Sequence, residues 1–134
     1  MCDYISKDTT VVADGASRMD ISCQVVYSYQ PRHRIDAGIY GCAGTGVPFA
    51  IAAKGCFPDQ PLICLNGDGA FGFNGMGIET ACRFKPPIVF MIYQNGNIDK
   101  WVRTWGDRVE TPNDFVQGIR YEKMMEAFGG HGST

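Results

Sequence analysis

Two short apolar runs, each leading into a polar residue beside glycine, constrain this chain more than any other feature. Residues 61–66 (Pro-Leu-Ile-Cys-Leu-Asn) run into Gly67-Asp68-Gly69, and residues 87–93 (Pro-Ile-Val-Phe-Met-Ile-Tyr) run through Gln94 into Asn95-Gly96-Asn97. Each run reads as a buried strand. Between them lies one helix's worth of sequence, around residues 76–84. Strands joined through a helix run parallel. Asp68 and Asn95 then stand at the carboxyl ends of neighbouring strands, where open α/β sheets bind their ligands.

The rest of the chain repeats the alternation. Residues 9–13 read as a short strand ending at Asp14-Gly15, and residues 20–29 as a helix stopped by Pro31. Pro31-Arg32-His33-Arg34 reads as a basic loop, with His33 solvated. Residues 38–46 are rich in glycine and open into an apolar helix over 47–53, with Pro48 in its first turn. Residues 97–113 are irregular by pattern; Trp101 and Trp105 there would pack the loop or cover a ligand. Residues 121–128 form a final amphipathic helix closed by Gly129-Gly130, with Met124 and Met125 in its core and surface. The expected fold is α/β, a parallel sheet with helices on both faces, in one domain over residues 1–134. Four loops would converge on one sheet edge: those at Asp14, at residues 38–46, at Asp68 and at Asn95.

Composition narrows the function classes. Apolar residues make up 45% and charged residues 19%, which suits a packed globule. A net charge of −2 gives no electrostatic reason to expect nucleic acid or an anionic membrane. No apolar run is long enough to span a bilayer, and the first residues carry no signal-peptide pattern. Of the six cysteines, Cys23, Cys42, Cys56, Cys64 and Cys82 fall in apolar surroundings, and none forms C-x-x-C. Buried thiols of a cytoplasmic protein are expected rather than disulfides, with a peroxisome as the alternative for a parent enzyme. His33 and His131 do not group with the cysteines at zinc-ligand spacing.

The converging loops carry oxygen donors suited to a hard cation. Mg²⁺ takes about six oxygens and often draws several from phosphates. Asp68 offers a carboxylate oxygen, Asn95 an amide oxygen, and Asn97 a backbone carbonyl once Gly96 folds the chain back. Oxygens from a diphosphate and a water would complete the shell. Amides of Gly69 and Ala70 face the start of the next helix, where anions are favoured. Gly15, Ala16 and Ser17 add amide and hydroxyl donors. Asp-Gly or Asn-Gly alone is an ordinary turn. Both at strand ends, with the intervening helix, point to a cation site. Cys42 is either a small packed residue or a thiol beside that site.

Gly67-Asp68-Gly69 followed by Asn95 at this distance resembles the metal and diphosphate motif of thiamine-diphosphate enzymes. Wider segments are similar to the 2-hydroxyacyl-CoA lyase and oxalyl-CoA decarboxylase branch. They are residues 14–21 (Asp-Gly-Ala-Ser-Arg-Met-Asp-Ile), 31–38 (Pro-Arg-His-Arg-Ile-Asp-Ala-Gly), 69–76, 78–84 and 125–130. The resemblance runs from about Val11 to Gly132. It implies a cofactor-binding domain in which Asp68, Asn95 and the Asn97 carbonyl hold Mg²⁺. The cofactor would lie against Gly15, Ala16, Ser17, Gly41, Cys42, Ala43, Gly67, Gly69 and Ala70, with the Gly41 carbonyl accepting a hydrogen bond from its 4′-amino group. The implied chemistry is C–C cleavage of an acyl-CoA, with the cofactor as electron sink.

Several positions depart from the branch it resembles. Ala43 replaces a bulky apolar residue that bends the cofactor, Asp99 replaces a tyrosine, Gln94 an asparagine and Gly77 a helical glutamate. Gly77 should weaken its helix by about 1 kcal/mol relative to alanine. Nothing in the chain matches the pyrimidine-binding domain whose glutamate activates the cofactor. The resemblance therefore implies a partner domain or subunit, in a homo- or hetero-oligomer, and an enzyme part that is inactive alone. It also implies a fold cut short at its C-terminus, leaving an apolar sheet edge open. The alternatives are a non-catalytic cofactor-binding module, or a cofactor-binding part of an acetolactate synthase-like enzyme or 2-oxoacid oxidoreductase. The lack of C-x-x-C speaks against an iron–sulfur version of the last.

Overall fold

A computed structural model describes residues 5–98 and 112–134. Trp101, Trp105 and Asp99 lie outside the described residues. The elements run β1 (Thr10–Asp14), α1 (Ala16–Val25), β2 (Arg34–Ile35), α2 (Gly46–Cys56), β3 (Leu62–Gly67), α3 (Asp68–Asn74), α4 (Ile78–Phe84), β4 (Val89–Tyr93) and α5 (Glu122–Ala127). Short 3₁₀ turns at Gly38–Tyr40 and Gly75–Gly77 precede α2 and α4.

The four strands are all parallel, in the order β2-β1-β3-β4. The chain leaves β1 towards β2, then crosses back to β3 and onward to β4. Right-handed crossovers put the helices of opposite directions on opposite faces. The packing agrees: α1 is followed directly by buried Val26, which packs with Val11 and Leu65 on one face. On the other face Ala50 and Ala53 of α2 pack against Val12, Leu62 and Cys64. Alternate residues of β1 thus feed both layers, and the whole strand is buried. Val47 of α2 meets Phe71 of α3 and Ile78 of α4 in a further cluster. The reversal between β1 and β3 creates a switch point at their carboxyl ends.

The local corrections have physical causes. Helix α1 starts at Ala16, four residues earlier than expected, because Gly15 adopts φ 95° and turns the chain straight out of β1. It ends at Val25, since the following valine and tyrosines lose rotamer freedom in a helix and Val26 is drawn into the core. The expected basic loop ends in the first residue of strand β2, where Arg34 and Ile35 pair with Val11 and Val12. His33 is buried, not solvated, with its ring 5.2 Å from that of Phe57. The glycine-rich stretch after Asp68 is helix α3 rather than loop, because burial of Phe71 overrides weak propensity.

Gly77 closes a 3₁₀ turn, and a β-carbon there would meet Val47 Cγ1 at 2.9 Å. Glycine at that position permits close approach to α2 instead of merely weakening a helix. The expectation of buried thiols holds for Cys64 alone: Cys82 is half-buried, and Cys23, Cys42 and Cys56 are exposed. β4 pairs with β3 only among the described residues, and Val89 on it is 57% exposed. No helix among the described residues is long and apolar enough to cross a membrane.

Candidate functional site

The carboxyl ends of β1, β3 and β4 surround a cavity of about 420 Å³. Gly15, Ala16 and Ser17 line it from the start of α1, Gly41 and Ala43 from the glycine-rich loop, and Gly67, Asp68, Gly69 and Ala70 from the β3–α3 junction. Asn95, Asn97 and Ile98 line it from the loop after β4. Cys42 is exposed and is not part of this lining. A larger cleft of about 520 Å³ runs along the open edge of β4, bounded by Val89, Phe90, Ile92, Gln94 and Met125. Its lining is mostly apolar and lies beside the sheet, away from the loops that carry the polar groups.

Asp68 is the centre of the cavity's polar wall. It is buried, and its Oδ2 accepts the Gly96 N–H at 2.7 Å while Oδ1 accepts the adjacent Gly69 N–H at 3.0 Å. The first bond ties the end of β3 to the loop after β4. Gly96 makes it possible by taking φ 72°, a left-handed conformation that disfavours a side chain. A β-carbon there would also press on Gln117 Nε2 at 2.7 Å. Asn95 Oδ1 accepts the Asn97 N–H at 3.1 Å, which tightens the same turn. The Asn97 side chain donates from Nδ2 to Asp114 Oδ1 at 2.6 Å, which anchors the turn to the segment after it. Burial raises the Tyr121 hydroxyl pKa above its ordinary value, and the negative charge of Asp68 adds to the effect.

A second buried carboxylate lies one strand away. Asp14 Oδ2 accepts the N–H groups of Gly44 at 3.0 Å and Gly46 at 2.7 Å. This fixes the loop carrying Gly41, whose own φ of 59° ends the 3₁₀ turn. Asn66, opposite Asp14 in the sheet, is fully buried. A β-carbon on Gly46 would collide with Asn66 Oδ1 and Asp14 Cβ, so α2 can start here only with glycine. Cys64 donates no charge to this group: burial pushes its pKa from 9.0 up to about 12, against the hydrogen bond it accepts from Asn66 Nδ2 at 3.2 Å and with a smaller contribution from the Asp14 charge.

The sequence marked Asp14-Gly15 as a strand end but not Asp14 as a clamp; an acidic residue before glycine, mirroring Asp68-Gly69, was the available signal. Arg18 and Tyr93 also line the cavity, stacked with the guanidinium carbon 3.9 Å from the ring centroid. No sequence pattern pairs residues so far apart.

The donor set discriminates between ions. Among the described residues, no group of three or more His, Cys, Asp or Glu side chains could hold a metal. A cation at Asp68 and Asn95 would need further oxygens from its ligand. That suits a hard ion shared with a diphosphate, so these residues fit such a group.

Residues 15–134 match the family described as "Thiamine pyrophosphate enzyme, C-terminal TPP binding domain". The chain is 41% identical to human 2-hydroxyacyl-CoA lyase 1 over 97% of its own length and 25% of the lyase. It is 37% identical to oxalyl-CoA decarboxylase of Escherichia coli K12 over 95% of its length and 23% of the decarboxylase. A solved structure from Mycobacterium smegmatis, titled as a thiamin diphosphate-dependent enzyme, superposes over 96% of the chain with a TM-score of 0.74. At 24% identity that likeness concerns the fold. The chain spans about a quarter of the length of these relatives. With a parallel sheet, a switch-point cavity and a family match over nearly its whole length, the chain belongs to the C-terminal TPP-binding domains of the thiamine pyrophosphate enzymes.

Proposed function

We propose that the cavity at the ends of β1, β3 and β4 binds thiamine diphosphate (TPP) through Mg²⁺. In this reading Asp68, the Asn95 amide oxygen and the Asn97 carbonyl ligate the ion. Amides and the hydroxyl at Gly15, Ala16 and Ser17, with Gly67, Gly69 and Ala70, receive the diphosphate. The observation that carries it is the Asp68–Gly96 bond at 2.7 Å, which brings the two halves of the donor set to one cavity. Gly41, whose loop Asp14 clamps, would present its carbonyl to the cofactor's 4′-amino group.

When bound, this cofactor supplies a nucleophilic carbon and an electron sink for C–C cleavage. The likeness to the lyase and the decarboxylase supports an acyl-CoA substrate, a 2-hydroxyacyl-CoA or oxalyl-CoA. The chain would act as one TPP-binding domain beside a pyrimidine-binding domain or subunit that supplies an activating glutamate. Ile39 and Tyr40, 99% and 88% exposed immediately before Gly41, support a partner surface there. A non-catalytic module is the second reading, favoured by Ala43: its methyl group lines the cavity where the family resemblance implies a bulkier wedge.

Thermal unfolding with and without ligand tests the site. At a hundred times Kd, Mg²⁺ with thiamine diphosphate should stabilise the chain by about 2.7 kcal/mol, a rise in Tm of several degrees. An equal shift in Asp68→Ala would remove the assignment. The chain alone should release no formyl-CoA from oxalyl-CoA or a 2-hydroxyacyl-CoA; measurable release would overturn the need for a partner.

A further inference from the structure

Arg18 is a cation on the cavity wall outside the metal and diphosphate motif. It sits in the first turn of α1. A β-carbon on Gly67 would lie 3.7 Å from Arg18 Cγ, so the side chain passes over the end of β3. It ends with its guanidinium 3.9 Å from the ring centroid of Tyr93, the last residue of β4. Ion pairs among the described residues do not include it. Stacking on an aromatic ring fixes the plane of the guanidinium and leaves its N–H edge for another partner. Among the described residues, the other charged side chains lining this cavity are Asp20 and Asp68, both acidic. Of those three, only Arg18 would attract an anion.

We propose that Arg18, held in place by Tyr93, is a second cationic ligand for the diphosphate end of the cofactor. The inference rests on reading the cavity as a thiamine-diphosphate site. A diphosphate held by one divalent ion keeps excess negative charge, and the arginine fork matches phosphate oxygens. Arg18 then supplies from the protein a charge that the carboxylate and amide ligands cannot.

Isothermal titration calorimetry tests this with inorganic pyrophosphate and with thiamine diphosphate, each with Mg²⁺, on the full chain and on Arg18→Met and Arg18→Lys. Methionine keeps an apolar stem against Tyr93 and removes the charge. Arg18→Met should weaken both ligands by about tenfold to a hundredfold, and Arg18→Lys should recover part of the loss. Added salt should weaken binding to the unsubstituted chain more than to Arg18→Met. Circular dichroism confirms that both variants are folded. Unchanged affinity in Arg18→Met overturns the proposal. So does a loss that lysine does not recover and salt does not distinguish, since packing would explain it. If the unsubstituted chain binds neither ligand, the site reading falls and Arg18 with it; if it binds both and Arg18→Met binds them equally, only the role of Arg18 falls.

Discussion

The ends of β1 and β3 are built alike and do different things. Each finishes at a buried aspartate followed by glycine, and each aspartate accepts a backbone N–H from a distant glycine-containing loop. Asp14 takes two such bonds, through one oxygen, from Gly44 and Gly46. It does not line the cavity. Asp68 takes one from Gly96, with a second from its own neighbour Gly69, and does line the cavity. A buried carboxylate at a strand end is therefore not by itself a ligand. What separates the two is the loop each one holds and whether the carboxylate reaches open volume.

Removing each clamp measures the difference. Asp14→Ala leaves the buried N–H groups of Gly44 and Gly46 without their acceptor. Bonds to a charged group contribute about 1.5–3 kcal/mol each, so unfolding in urea without ligand should show a loss of about 3 kcal/mol or more. Asp68→Ala removes one long-range bond and should cost about half as much in the same measurement. Its larger consequence is the loss of the roughly 2.7 kcal/mol that saturating Mg²⁺ and thiamine diphosphate would add. If Asp68→Ala costs more than Asp14→Ala before any ligand is added, the division between clamp and ligand is wrong.

The same contrast explains what the sequence revealed. The apolar runs before Asp68 and Asn95 both form parallel strands, but the expected burial holds only for the first: β3 is largely buried, while no residue of β4 is, because β4 has a neighbour on one side only among the described residues. The alternation of strands and helices alone puts Gly15, Asp68 and Asn95 at one sheet edge. The clamp of Asp14 on Gly44 and Gly46 was hidden, because it depends on how a glycine-rich loop returns across the sheet. His33 departs from its sequence pattern for a related reason: the basic residues around it suggest solvent, while its contact with Phe57 comes from beyond α2. Helix α3 was hidden because its glycines lower propensity and only the packing of Phe71 against Val47 and Ile78 restores it. Patterns within one segment were legible; pairings across segments were not.

A smaller effect separates burial from bonding at the β1 side. Cys64 lies one strand from Asp14, and its thiol is raised from 9.0 to about 12, chiefly by burial, which outweighs the lowering by the Asn66 hydrogen bond and is helped by the Asp14 charge. Below pH 9 the thiol is protonated in folded and unfolded chains alike, and it leaves stability unchanged. Between pH 9 and 12 the unfolded chain ionises there while the folded chain does not, so the folded state loses ground as pH rises. From pH 9 to pH 10 this amounts to about 1 kcal/mol. Urea unfolding under reducing conditions at both pH values should show that extra loss in the unsubstituted chain and its absence in Cys64→Ala. Parallel slopes in the unsubstituted chain and Cys64→Ala would mean that water reaches the thiol, and that the β1 side is not the sealed clamp its hydrogen bonds imply.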